Sequence, residues 1–235
     1  MSRERVLLER GLETLLPKSY AQIVDNLLDF SARLLEKNKV MNLTAVTEPE
    51  EVVTRHFLDC AVLAPYMTAG EQVIDIGTGA GFPGLPLAIL CPDTQFVLLD
   101  ALRKRIDFLN EVIDALGLKN VTAVHARAEE FAAAHREQFD CAVSRAVADL
   151  RVLSELTLPL VKQGGVFHAM KAENCVEEVQ AAEGAVKILG GESAKIVHYT
   201  VPVSEIPRAL VTIRKVNATP AKYPRRFAKI NAAPL

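Results

Sequence analysis

The chain has only four cysteines, and no two of them are neighbours: Cys60, Cys91, Cys141 and Cys175 make no Cys-x-x-Cys pair and have no histidines at ligand spacing. That excludes a zinc site and a disulfide framework, so each cysteine reads as a small hydrophobe in an apolar or helical context. Long apolar runs are missing too. None approaches the ~20 residues that cross a bilayer, and no membrane span is expected. The N-terminus, Met-Ser-Arg-Glu-Arg, is charged and lacks the apolar core and cleavage site of a secretory signal, which makes a cytoplasmic protein the expectation. Internal repeats are absent, and nothing demands an oligomer, so a monomer is expected.

Acid is missing from one end of the chain. The net charge is -2, yet the last acidic residue is Glu205, and Arg208, Arg214, Lys215, Lys222, Arg225, Arg226 and Lys229 follow it unopposed. A cationic arm on an acidic body suits a polyanion, although charge alone describes a solvated tail equally well. The residues from Asn217 onward are rich in Pro and Ala and read as mobile in isolation.

Half of the 235 residues are hydrophobic, enough to bury the core of one large α/β domain. Helices come first. Ile23, Val24, Leu27, Leu28, Leu34 and Leu35 recur at three- and four-residue spacing, which predicts an amphipathic helix over 20–37, starting at Tyr20. Thr47-Glu48-Pro49-Glu50 predicts a second, with Thr47 as N-cap and Glu50 at the capping-box position, running to about Pro65. After Gly70 strands at 73–76, 95–99, 121–125, 141–144 and 166–170 alternate with helices at 84–90, 103–116, 128–136 and 150–161. Such alternation implies a mainly parallel sheet covered on both faces. Segments 195–201 and 210–215 have no helix between them and read as an antiparallel pair at one edge. The expected fold is therefore α/β: a Rossmann-like, doubly wound, seven-stranded sheet with an antiparallel edge strand, the architecture of class I S-adenosylmethionine-dependent methyltransferases. We divide the chain into an N-terminal helical extension (1–69), this domain (70–217) and a basic C-terminal tail (218–235).

The segment 72–84, Gln-Val-Ile-Asp-Ile-Gly-Thr-Gly-Ala-Gly-Phe-Pro-Gly, reads as a strand running into a ligand-binding turn. Gly77, Gly79 and Gly81 remove the Cβ atoms that would hold a flat adenosine-bearing ligand off the backbone, and Pro83 suits a helix start. Gly79-x-Gly81-x-x-Gly84 also satisfies the dinucleotide fingerprint, so an NAD-dependent dehydrogenase has to be weighed. The strand closes at Gly77, however, and Asp75 stands where a carboxylate could face an amino or sulfonium group, which favours S-adenosylmethionine. Asp100, at the end of the second strand, fits ribose hydroxyls with either ligand, or a helix cap. Ala128 and Glu129 follow the third strand where an adenine edge could be read, though Glu129 also suits a solvated first helical turn. The fourth strand ends in Ser144-Arg145-Ala146 in place of an Asn- or Asp-Pro-Pro-aromatic motif, which argues against an amine-methylating adenine enzyme. Arg145 is suited to a phosphate or a guanine edge, or to pairing with a carboxylate.

Several further motifs stand in order along the chain: Asn42-Leu43-Thr44, Arg55-His56-Phe57-Leu58-Asp59, Gly81-Phe82-Pro83-Gly84, Leu99-Asp100 with Lys104-Arg105, Glu129-Glu130-Phe131, Ser144-Arg145-Ala146 and Met170-Lys171. On these the chain resembles the RsmG (GidB) family of bacterial small-subunit ribosomal RNA methyltransferases over nearly its whole length. One departure lies in the tail, where Phe227-Ala228-Lys229-Ile230 replaces a Gly- and Pro-rich linker. The resemblance implies methylation at N7 of one guanine (nucleotide 527, decoding region) of 16S ribosomal RNA on the small subunit, with S-adenosyl-L-methionine converted to S-adenosyl-L-homocysteine. It implies cofactor contacts at Gly77, Phe82, Ala128, Glu129 and Arg145, with Asp100 in the ribose role. Guanine N7 carries no proton, so neither a general base nor a metal is expected. Lys104, Arg105, Lys171, Arg225 and Arg226 are the candidate phosphate contacts. A non-catalytic ribosomal RNA-binding assembly factor is the other alternative.

Overall fold

The computed structural model describes residues 2–16, 21–145 and 147–235; Tyr20, the expected helix start, and Ala146, of the Ser144-Arg145-Ala146 segment, lie outside them. Helix α1 (Arg3–Glu13) begins where Ser2 Oγ accepts the Arg5 N–H, and α2 (Ala21–Met41) buries Val24, Leu27, Phe30 and Leu34 as the periodicity predicts. The expected 47–65 helix is built in pieces. Pro49 occupies the first helical position, so the cap falls on Glu48 rather than Thr47, with no side-chain bond. Short α3 (Pro49–Val52) widens into a π-helical turn (Val53–Leu58), resumes as α4 (Asp59–Ala61) and ends in a 3-10 turn at Ala64–Tyr66.

The alternating part follows as β1 (Gln72–Ile76), α5 (Gly84–Leu90), β2 (Gln95–Asp100), α6 (Arg103–Leu116), β3 (Val121–His125), α7 (Ala128–Ala134), β4 (Phe139–Arg145) and α8 (Leu150–Thr157). Helix α8 stops short of the expected 161 because Pro159 has no N–H to continue it, and a 3-10 turn leads into β5. Strand β5 (Val161–Ala172) starts earlier than Val166, with Gly164 at φ +87° inside it and a register break against β4. Helix α9 (Val176–Ile188), β6 (Lys195–Thr200), β7 (Pro207–Arg214) and α10 (Phe227–Ala232) complete the chain.

The seven strands lie in the order β3-β2-β1-β4-β5-β7-β6. Strands β1 to β5 are parallel, while β7 runs antiparallel to β5 on one side and to β6 on the other. The chain steps outward from β1 to β2 and β3 and then returns to place β4 against β1. Beyond the carboxyl ends of β1 and β4 lies the crevice where open α/β sheets bind ligands.

Alternate residues of each strand feed two cores. Val73, Leu98 and Val143 pack with the N-terminal helices, α5 and α6, whereas Ile74, Leu99 and Ala142 pack with α8, α9 and α10. Leu8, Leu12, Leu27 and Phe30 thus share one core with the sheet, and the 1–69 helices are a layer of the domain. The tail is also packed. Tyr223 and Ile230 are buried in the second core, which overturns the expectation of a mobile arm. Among the described residues no helix is long and apolar enough to cross a membrane. All four cysteines are free, and three of them are buried.

Candidate active site

The glycine turn is tied down from both sides. Gly77 and Thr78 donate to the Leu99 carbonyl at 2.9 and 3.0 Å, and Gly79 donates to Asp100 Oδ2 at 2.9 Å, so β2 holds the loop that leaves β1. Gly79 has φ +63°, and a Cβ there would meet nothing closer than 3.9 Å, because it faces the open cleft. Gly84 is required for the opposite reason. A Cβ would overlap Leu98 Cδ2 and come within 2.8 Å of Asp75 Oδ2, so only glycine lets α5 start this close to the sheet.

Asp75 is corrected by this arrangement. Expected to face a cationic group of the ligand, it is fully buried beneath the loop, where Oδ2 accepts from Thr78 Oγ1 at 2.6 Å and from the Gly84 N–H at 2.8 Å. Burial pushes its carboxyl up to about 7 against those two hydrogen bonds, and Oδ1 has no partner among the described residues. It anchors the turn from behind.

A cleft of about 490 Å³ opens over the turn, lined by Gly77, Gly79, Phe82, Asp100, Arg105 and Arg145. It adjoins a recess of about 140 Å³ that shares Gly77 and Asp100 and is walled by Ile76, Leu99, Ala128, Glu129 and Leu156. Polar at one end and apolar at the other, the pair suits an amino-acid tail and a nucleoside, and the bare backbone at Gly79 leaves room for a ligand to lie against it. Gly81, by contrast, packs inward, where a Cβ would come within 2.9 Å of Leu109. Asp100 is 4% exposed and serves two purposes, because Oδ1 accepts the Leu102 N–H at 2.8 Å at the start of α6 while Oδ2 also takes Arg105 Nη1 at 3.1 Å. With three of about four acceptor positions in use, one remains for a ribose hydroxyl unless Arg105 moves aside.

Arg145 reaches from the end of β4 across the crevice. Nη1 donates to Asp59 Oδ2 at 3.2 Å and to the Arg55 carbonyl at 3.1 Å, Nη2 lies 3.1 Å from His56 Nδ1, and the guanidinium sits 4.7 Å from the Phe82 ring centroid. The carboxylate partner weighed from sequence is Asp59, which also accepts from Tyr199 Oη at 2.9 Å. His56 Nε2 meets Thr44 Oγ1 at 2.8 Å. Burial first, and the charge of Arg145 second, push the His56 ring down to about 3, so it is neutral; its Nδ1 lies within reach of both Arg145 Nη2 and the Arg55 carbonyl, at 3.1 and 3.0 Å. The π-helical turn carries Arg55 and His56 and ends just before Asp59, and such turns cluster at functional sites. Thr44, His56 and Asp59 stand within the sequence motifs without an expected role; for His56 and Asp59 the signal was polar residues interrupting an amphipathic stretch, whereas Thr44 lies in the loop before it.

Behind this pair a second cavity of about 560 Å³ opens beside Met170, Lys171 and Arg208, and it shares Arg145 and His56 with the first. Of the candidate phosphate contacts, Lys104 and Arg226 are exposed. The other three are committed within the protein. Arg105 pairs with Asp100 in the cleft; Lys171 Nζ donates to the Ala148 carbonyl at 2.8 Å and to Glu178 at 2.7 Å; and Arg225 is clamped on buried Glu155. Each met a carboxylate, five residues away for Arg105, seven for Lys171 and 70 for Arg225. Among the described residues no three His, Cys, Asp or Glu side chains gather as metal ligands.

Strand order, glycine turn and paired cavities define a class I S-adenosylmethionine-dependent methyltransferase. Comparison with known proteins agrees, and the chain belongs to the rRNA small subunit methyltransferase G (GidB) family, whose model matches residues 23–206. A ribosomal RNA small subunit methyltransferase G from Alkaliphilus metalliredigens is 47% identical over 207 residues, covering 86% of this chain and 87% of that protein. The one from Lachnoclostridium phytofermentans is 48% identical over 206 residues, covering 86% and 85%. Among solved structures, M. jannaschii TYW2 in complex with AdoMet superposes with a TM-score of 0.55 at 17% identity, covering 67% of this chain and 75% of that one. A SAM-dependent O-methyltransferase from Thermotoga maritima gives 0.53 at 18%, covering 78% and 71%. The structural likenesses show the fold, and family membership decides for a methyltransferase over the dehydrogenase that the glycine spacing also allowed.

Proposed function

We propose that the enzyme methylates N7 of a single guanine, nucleotide 527 in the decoding region of 16S ribosomal RNA. The observation that carries this reading is the wall common to the two cavities, where Arg145 and His56 border both the glycine-turn cleft and the cationic cavity. A donor in the first and a base in the second meet across one pair of side chains.

When bound, S-adenosylmethionine supplies a methyl group on a positively charged sulfur. Guanine N7 offers an in-plane lone pair and no proton, so as the N7–C bond forms and the C–S bond breaks, no base has to act. The residues are left with orientation and exclusion of water, worth about 7–11 kcal/mol of barrier when the reacting atoms are well aligned. Asp100 has an acceptor position left for a ribose hydroxyl, Gly79 provides backbone contact, and Ala128 with Glu129 borders the adenine end. Arg145, held by Asp59 and His56, has its guanidinium fixed at the boundary, where it suits the O6 edge or a phosphate and leaves the N7 lone pair free to react. Neutral His56 keeps that boundary from gaining a second positive charge as the base becomes cationic.

Outside the cavities, exposed Lys104 and Arg226 suit phosphates, which set affinity and register but not the choice of base. The test is transfer of labelled methyl from S-adenosylmethionine to ribosomal RNA presented naked, as an assembly intermediate and as the complete small subunit, with the product mapped. Label at N7 of one guanine supports the reading. Label on another atom, or binding without transfer, refutes it, and the latter would favour the assembly-factor alternative.

A further inference from the structure

Phe227 lies beyond the stretch that the family model matches, which ends at residue 206, yet its ring borders the recess beside Ala128 and Glu129. The chain on both sides of it is fixed. Arg136 donates to the carbonyl of Tyr223 at 2.7 Å, to that of Pro220 at 3.1 Å and to that of Thr219. Arg225 is clamped to Glu155 on α8, and Ile230, one turn after Phe227, is fully buried against the second core. Phe227 itself remains 37% exposed, with the Arg127 guanidinium 5.8 Å from its ring centroid. A large apolar side chain held at the mouth of an apolar recess by the anchors at Arg225 and Ile230, with its own face open, completes its burial when a ligand arrives.

We propose that Phe227 is a further cofactor-binding residue, and that the C-terminal strap supplies the aromatic wall against which the purine end of the methyl donor packs. The opposite walls, Ile76, Leu99 and Leu156, are apolar, so the recess favours a flat ring over a phosphate or a sugar. The segment read from sequence as an RNA-binding arm thereby belongs in part to the cofactor site. The inference rests on the donor occupying the glycine-turn cleft.

The test is calorimetric binding of S-adenosylhomocysteine to the full chain. Phe227→Ala should weaken it about tenfold, the usual loss when an aromatic contact to a base is removed, with the melting temperature little changed. Phe227→Trp should retain affinity. Because the chain contains no tryptophan, that indole is a unique reporter, and its emission should change saturably with S-adenosylhomocysteine but not with methionine. Equal affinity of wild type and Phe227→Ala, or an indole blind to the ligand, overturns the inference alone. Wild-type protein that binds no S-adenosylhomocysteine overturns the underlying reading. Should Phe227→Ala fail to fold, the Phe227→Trp titration decides.

Discussion

Arg225 and Glu155 are joined as a fork to a carboxylate, with Nη2 2.6 Å from Oε2 and Nε 2.8 Å from Oε1, and the carboxylate is fully buried. The Arg225 N–H also donates to Oε1 at 2.9 Å. Replacing Arg225 with Ala leaves a buried charge with one backbone donor, a situation that typically costs about 3–5 kcal/mol. The denaturant midpoint of Arg225→Ala should fall accordingly at unchanged slope; an unmoved midpoint would mean that the tail is solvated after all.

Gly84 touches Asp75 and Leu98 so closely that a methyl group has no space. Gly84→Ala should cost about 1–3 kcal/mol through overpacking and weaken S-adenosylhomocysteine binding, since the turn is pinned through the same carboxylate. Gly117→Ala offers a comparison, because a Cβ there meets no neighbour and only its positive φ is strained. Ligand affinity should survive that substitution.

The Asp75 carboxyl makes stability depend on pH. Burial raises it from 3.8 to about 7, so the folded protein keeps a proton that the unfolded chain releases. Its contribution is full below about pH 4, declines as pH rises, and is gone above about pH 7. Relative to wild type, Asp75→Asn should therefore gain in melting temperature between pH 5 and 8. A constant difference across that range would contradict the assignment.

His56 has the opposite sign. Its ring is lowered to about 3, so the unfolded chain binds a proton that the folded one does not, and its contribution is full above pH 6.5 and lost as pH falls below that. Ring proton resonances should stay flat from pH 5 to 8 in the wild type. In Arg145→Gln, with the neighbouring charge gone and the pocket opened, they should titrate at higher pH. Identical curves would place the cause in burial alone.

Exposed and committed cations should part in RNA binding. Lys104→Ala with Arg226→Ala should weaken affinity for ribosomal RNA and reduce the slope of log affinity against log salt by roughly 0.7–0.9 for each phosphate left without its cation. Arg225→Ala should change the slope little while changing stability. The reverse pattern would return Arg225 to the RNA face.

Much of this molecule is legible in local pattern. The period of strands and helices after Gly70 fixed the sheet, because each βαβ unit is specified by neighbours a few residues apart, and the order that follows is constrained by crossover handedness. The glycine turn was legible for the same reason, since positive φ and close approach leave few substitutes for glycine. Asp75 misled because a carboxylate two residues before the turn can face the ligand or the turn, and burial alone chose the second.

The linear chain thus determined the doubly wound sheet, the ligand-binding turn and the methyltransferase motifs, all of which rest on short-range geometry. Which charges are free for RNA was decided only in three dimensions. Arg145 found Asp59, Lys171 found Glu178 and Arg225 found Glu155, and the tail folded back to the recess. Ion pairing joins Arg145 to Asp59 across 86 positions, and no local pattern encodes such a meeting.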